Sequence, residues 1–97
     1  KEQRKAIDTA EVWLQKRPED AQLLNYLGLL SYSNKLWGKA QGYLEASLAV
    51  EPSMQARLGL AKVFDETDQT KKAEEQRKLA LANIEQEEEL NLPVVQP

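Results

Sequence analysis

The chain has 97 residues, 41% hydrophobic and 30% charged, a composition that suits one globular domain at most. It contains no cysteine and no histidine, which excludes disulfides and removes the usual ligands of zinc and haem and the usual general base. The net charge of −3 is uneven: Glu85, Glu87, Glu88 and Glu89 put −4 on residues 85–97, and the rest holds 13 bases against 12 acids, too balanced to form a basic face for nucleic acid.

No stretch of ~18 apolar residues marks a membrane span, and no basic, apolar leader opens the sequence. Lys1 rather than Met at the start points to a piece of a longer chain.

The first element, near 1–17, carries Ile7, Ala10, Trp13 and Leu14 on one face of a helix, and Pro18 follows it. Leu24, Leu27, Gly28 and Leu30 mark a second helix near 20–33. Asn34 is expected to end it in the left-handed conformation. Leu36, Trp37, Ala40, Tyr43, Leu44, Ser47 and Leu48 give a third helix near 36–50, stopped by Pro52. Ser53 is placed to cap a fourth, near 53–66, with Leu58, Ala61, Val63 and Phe64 on it. After the turn Thr67-Asp68-Gln69, the residues Ala73, Arg77, Ala80, Leu81 and Ile84 continue a fifth helix near 69–88. Pro93 ends any helix in the tail 89–97, which is expected to be flexible.

These elements repeat. Ala6 and Ala40, Leu14 and Leu48, and Pro18 and Pro52 are each 34 residues apart. Gly28 and Ala61, Ala40 and Ala73, Ser47 and Ala80, and Leu48 and Leu81 are each 33 apart. A recurring period in this range marks a helical repeat array. Within a pair, Gly28 is expected to face Ala40 and Ser47 where the helix axes come closest, with Leu27, Trp37 and Leu44 filling the wider seam.

The residues Leu24…Leu27-Gly28, Trp37…Ala40…Leu44…Ser47-Leu48…Pro52 and then Leu60-Ala61…Phe64…Ala73…Ala80-Leu81 resemble the tetratricopeptide repeat family. The resemblance implies an all-α fold, a right-handed superhelical solenoid of five antiparallel helices. Residues 1–17 would be the second helix of a preceding repeat, 20–52 a full repeat, and 53–88 a polar capping repeat. The chain departs from the family at Lys35, where glycine is usual, and at Ser31, where an aromatic is common. Thr70 and Arg77 also replace large apolar residues. Leu36-Trp37…Glu45-Ala46-Ser47-Leu48 with Ala73-Glu74…Arg77…Ala80-Leu81 further resembles the C-terminal end of HemY-like proteins. That resemblance implies a parent protein in the bacterial inner membrane, associated with protohaem synthesis, with no membrane insertion by this segment.

In the repeat family the first helix of each pair lines a concave groove. Carried over, the groove comprises Gln22, Asn25, Leu29, Tyr32 and Ser33, then Gln55, Leu58, Lys62, Asp65 and Glu66. Asn25, Leu29, Tyr32, Leu58 and Lys62 are the expected contacts to a protein or peptide partner. The alternative is that they are ordinary solvated positions. A basic clamp for a terminal carboxylate does not fit, since Asp65 and Glu66 would repel one.

Other candidates are weaker. The first helix has no preceding partner, so self-association through an exposed end helix is open, although Trp13 and Leu14 are expected to pack forward against residues 23–30. Leu90, Leu92, Val94 and Val95 could dock into a partner or merely fray. Gly38 and Gly42 are expected to form a close helix contact rather than a membrane dimer motif. The clustered glutamates lack the looped spacing of a calcium site. Asp65–Glu66 and Glu74–Glu75 are adjacent rather than converging carboxylates, so no enzyme activity, metal or cofactor is expected. Met54, Tyr26, Tyr32 and Tyr43 are the only side chains that could ligate haem iron, and all are explicable as packing or groove residues. The function expected is a non-catalytic protein-interaction scaffold. Self-assembly and direct tetrapyrrole handling are the alternatives.

Overall fold

The computed structural model describes residues 2–91, and the side chains of residues 2 and 4–82. It consists of five helices: α1 (Glu2–Lys16), α2 (Ala21–Ser33), α3 (Trp37–Val50), α4 (Met54–Glu66) and α5 (Thr70–Asn91). No strand occurs among the described residues. Helix α5 runs to Asn91, beyond the boundary at 88 expected from sequence. The remaining tail, including Leu92, Val94 and Val95, lies outside the described residues.

Each helix packs on the next in sequence, most extensively α2 on α3 and α4 on α5, and α2 also touches α4. The starts of α2 and α4 follow from their caps. The Leu23 backbone N–H donates to Asp20 Oδ1 at 3.0 Å, and that of Ala56 donates to Ser53 Oγ at 3.1 Å. Each cap satisfies a donor that the first helical turn leaves open.

Helices α2 and α4 end in the same way, 33 residues apart. The Leu36 N–H returns to the Ser31 carbonyl (2.9 Å) and that of Lys35 to Tyr32 (2.9 Å). Gln69 and Asp68 repeat this onto Phe64 (2.8 Å) and Asp65 (3.4 Å). Such a double closure needs one residue in the left-handed region. That residue is not Asn34, whose φ is −96°, but Lys35 at φ 60°, with Asp68 at φ 58° as its counterpart. Asn34 instead donates from its side-chain amide to the Leu30 carbonyl at 2.8 Å. Lys35 carries a Cβ in this region and so meets the steric cost of a left-handed L-residue. Lys35→Gly is therefore expected to raise stability by about 1 kcal/mol, read as a higher urea midpoint with an unchanged slope.

The buried residues form two clusters. One joins Ile7 and Ala10 of α1 to Leu27 of α2, flanked by Leu14, Leu23, Leu30, Leu36 and Tyr43. The other joins Ala40 and Leu44 of α3 to Ala56, Leu60, Ala61, Val63 and Phe64 of α4 and Ala73 of α5. Leu44, fully buried, is the wedge of the molecule. A Cβ placed on Gly28 would lie 2.6 Å from its Cγ and 2.7 Å from its Cδ2, and a Cβ on Gly59 would lie 3.2 Å from its Cδ1. Gly28 therefore faces Leu44 and the Ala40 carbonyl, not Ser47. Ser47 sits one end further along, its Oγ donating to the Ala21 carbonyl at 2.8 Å.

Three expectations fail on exposure. Gly38 and Gly42 make no close helix contact: nothing lies within 4 Å of a Cβ built on either. Leu14 does pack into the first cluster, but Trp13 is 57% exposed, at the rim of an open cleft that it shares with Tyr26 of α2. Leu81 is also exposed, while Ala73 and Ala80 carry the buried face of α5.

Candidate functional site

The parallel run of α2 and α4 brings the expected groove residues together by register. Asn25 and Gln55 share one cleft of about 110 Å3 with Ala21, Gln22, Ser47, Glu51 and Ser53. One turn further on, Leu29 Cδ2 lies 3.5 Å from a Cβ placed on Gly59. The 30-residue offset of both pairs places Leu58 beside Leu29 and Lys62 one turn beyond. Leu29 and Leu58 are 40% and 39% exposed, and Lys62 is exposed. The strip thus runs from amides, through two half-wet leucines, to a cation.

Asn25 is half-buried, and its Oδ1 is enclosed without a donor. An enclosed acceptor without a partner is unusual and calls for a donor. Tyr32 continues the α2 face of Asn25 and Leu29, seven and three residues on. It is half-buried, packs against the second cluster and meets Trp37 edge-on, with ring centroids 5.3 Å apart. Its aromatic bulk serves the α2–α3 seam.

The carboxylates named from sequence are tied up or dispersed. Asp65 pairs with Arg77 of α5, and Lys72 lies over the Phe64 ring at 5.8 Å from its centroid. Among the described residues no group of three acidic, histidine or cysteine side chains is placed to hold a metal ion.

Sequence reading missed one polar cluster. Glu11 of α1 accepts from Lys39 Nζ at 2.9 Å and from the Tyr43 hydroxyl, tying α1 to α3. The hydrogen bond from Tyr43, then that from Lys39, hold the Glu11 carboxyl below its ordinary value. Desolvation, reinforced by the Glu11 charge, pushes Tyr43 up to about 12. The signs follow from linkage. The Glu11 contribution is present above the ordinary carboxylate range and lost as pH falls through its lowered pKa. The Tyr43 contribution is full below the ordinary tyrosine value, ~10, and is lost as pH rises toward about 12. In an alkaline titration followed by tyrosinate absorbance, Tyr43→Phe should remove a step near pH 12, and Glu11→Gln should move that step down. A titration curve that neither substitution alters would contradict this linkage.

The end helix α1, expected from sequence to have open surface, has it around Trp13. Trp13 borders a cleft of about 300 Å3 floored by Ala6, Thr9 and Ala10 and walled by Tyr26. On its other side a shelf of about 380 Å3 is lined by Trp13, Lys16 and Arg17. Comparison with protein-family models, curated proteins and solved structures found no match to this chain.

Proposed function

We propose that the α2–α4 strip is the binding face of a non-catalytic protein-interaction module, a tetratricopeptide-like array that holds an extended or helical segment of a partner. The observation that carries this reading is the juxtaposition of Asn25 with Gln55 and of Leu29 with Gly59. It lays a peptide-sized track of hydrogen-bonding amides next to apolar contact. The shape is also in keeping with a short solenoid: the molecule measures 59 × 33 × 21 Å, and its packing is between near neighbours.

The parent protein in this proposal is HemY-like and sits in the bacterial inner membrane, a reading that rests on the sequence lines around Trp37 and Ala73. No helix among the described residues is long and apolar enough to cross a membrane. The module then recruits a protein to the haem-synthesis machinery rather than handling the tetrapyrrole itself. A protoporphyrin titration of the chain should show no saturable Soret shift.

The test is a random-peptide display selection on the 97-residue chain, followed by amide chemical-shift mapping of the selected peptides. Their footprint should fall on Gln22, Asn25, Leu29, Gln55, Leu58 and Lys62. Leu29→Ala with Leu58→Ala should weaken binding at least about tenfold at unchanged helicity. Tyr32 is a poor probe, since its truncation opens the α2–α3 seam. A footprint elsewhere, or binding indifferent to both leucines, overturns the proposal.

A further inference from the structure

Helices α1, α3 and α5 lie on one side of the array and α2 and α4 on the other. Among the described residues no backbone approach joins α1 to α3 or α3 to α5, so these helices meet only through α2, through α4 and through their own side chains. At the first joint long side chains cross the span: Glu11 accepts from Lys39 and from the Tyr43 hydroxyl. The repeat carries these three positions to Glu45, Lys72 and Gln76, which stand 34, 33 and 33 residues on. The same acid and the same cation are therefore present at the second joint, with an amide in place of the hydroxyl.

At that second joint each of the three is engaged elsewhere. The Gln41 side-chain amide donates to Glu45 Oε2 at 3.2 Å, within α3 itself. Lys72 Nζ lies over the Phe64 ring, 5.8 Å from its centroid. Gln76 Oε1 accepts from Arg57 at 3.4 Å. The sequence supplies the reason for the difference. Phe64 stands where the preceding repeat has Ser31, 33 residues earlier, so only the second lysine is offered an aromatic face. All three contacts are weak ones: an exposed i,i+4 pair, a long cation–π contact and a long hydrogen bond. Glu45 and Lys72 are both exposed and free to exchange them.

We infer that Glu45 and Lys72 form a latch between α3 and α5, open in this structure and closed when Lys72 leaves Phe64, and that the latch regulates the width of the α2–α4 strip. The latch stands on the contacts above, and its consequence for binding rests on the proposed function. Leu44, seated between Gly28 and Gly59, is the pivot of the joint. The latch lies on one side of that pivot and the strip on the other. Drawing α5 toward α3 swings α4 away from α2 and parts Leu29 from Gly59. A closed latch means a wider strip, and a partner that fits one width biases the latch by the same factor.

The chain has no cysteine, so two introduced thiols take a pair of spin labels. Ala49→Cys with Ala82→Cys labels the latch side, and Gln22→Cys with Gln55→Cys labels the strip, all four at exposed positions. Pulsed electron resonance on the full chain should resolve a shorter and a longer distance for each pair. Glu45→Gln should reduce the shorter latch-side population two- to fivefold relative to the longer, the range of an exposed ion pair. Salt at 1 M should do the same, because it screens the ion pair. The longer strip population should fall in step. Exchanging the charges, Glu45→Lys with Lys72→Glu, should restore both. Lys71→Gln should change neither, since Lys71 stands at the position of Gly38, which faces open space.

A latch-side distance indifferent to Glu45→Gln, or as sensitive to Lys71→Gln, overturns the latch. A latch-side response with no opposite response at the strip overturns the regulation. Peptides that bind away from the strip would instead remove the proposed function and leave the latch-side result standing.

Discussion

Leu44→Ala should destabilise the chain by about 4 kcal/mol, lowering the melting temperature by roughly 20 °C. The estimate sits near the top of the range for a buried leucine because of what surrounds it. Leu44 is fully enclosed and lies between Gly28 of α2 and Gly59 of α4. Neither glycine has a side chain to relax into the vacated space, so the cavity persists. Leu44 also joins the two helix pairs. Its loss should broaden the thermal transition as α2–α3 and α4–α5 begin to melt separately, a departure from two-state behaviour visible by calorimetry. A loss below about 2 kcal/mol with an unchanged sharp transition would contradict the wedge role.

The second large effect changes sign with its background. Gly28→Ala alone should cost about 1–2 kcal/mol. A helical alanine gains about 1 kcal/mol over glycine, but here its Cβ would stand 2.6 Å from Leu44 Cγ. That atom is the branch point of the side chain and cannot swing aside, so overpacking outweighs the propensity gain. In the Leu44→Ala background the obstruction is gone. The same Gly28→Ala change should then stabilise by about 1 kcal/mol, from helix propensity and partial filling of the cavity. A double-mutant cycle measured by urea denaturation tests this. Additive effects would mean that residues 28 and 44 do not press on each other.

The order and extent of the helices were legible because periodic leucines and alanines, Pro18, Pro52 and Ser53 all act locally. The pairing was legible from the period, which brings the same small residues back at each seam. What escaped depends on which side of a helix is covered. Gly38 and Gly42 have the spacing of a packed pair, yet their face of α3 meets open space. Trp13 fits the apolar pattern of α1 and still lies outside it, since Ile7, Ala10 and Leu14 alone suffice to fill the contact with α2. Tyr32 follows Asn25 and Leu29 at same-face spacing, and what the spacing does not announce is that its ring is half-buried against Trp37 and the second cluster. Glu11 and Tyr43 come from helices one repeat apart, and nothing in either helix alone announces the other.

The packing of each helix on its neighbours in sequence has a kinetic consequence. Almost every favourable contact closes a loop shorter than one repeat, so little chain entropy must be surrendered before a contact forms. Folding should therefore be quick, in the microsecond to millisecond range. It can begin at either hairpin, α2–α3 or α4–α5, whose reversals are already locked by the left-handed residues Lys35 and Asp68. The late event is then the meeting of the two hairpins, in which Leu44 seats between Gly28 and Gly59 as α3 and α2 close on α4.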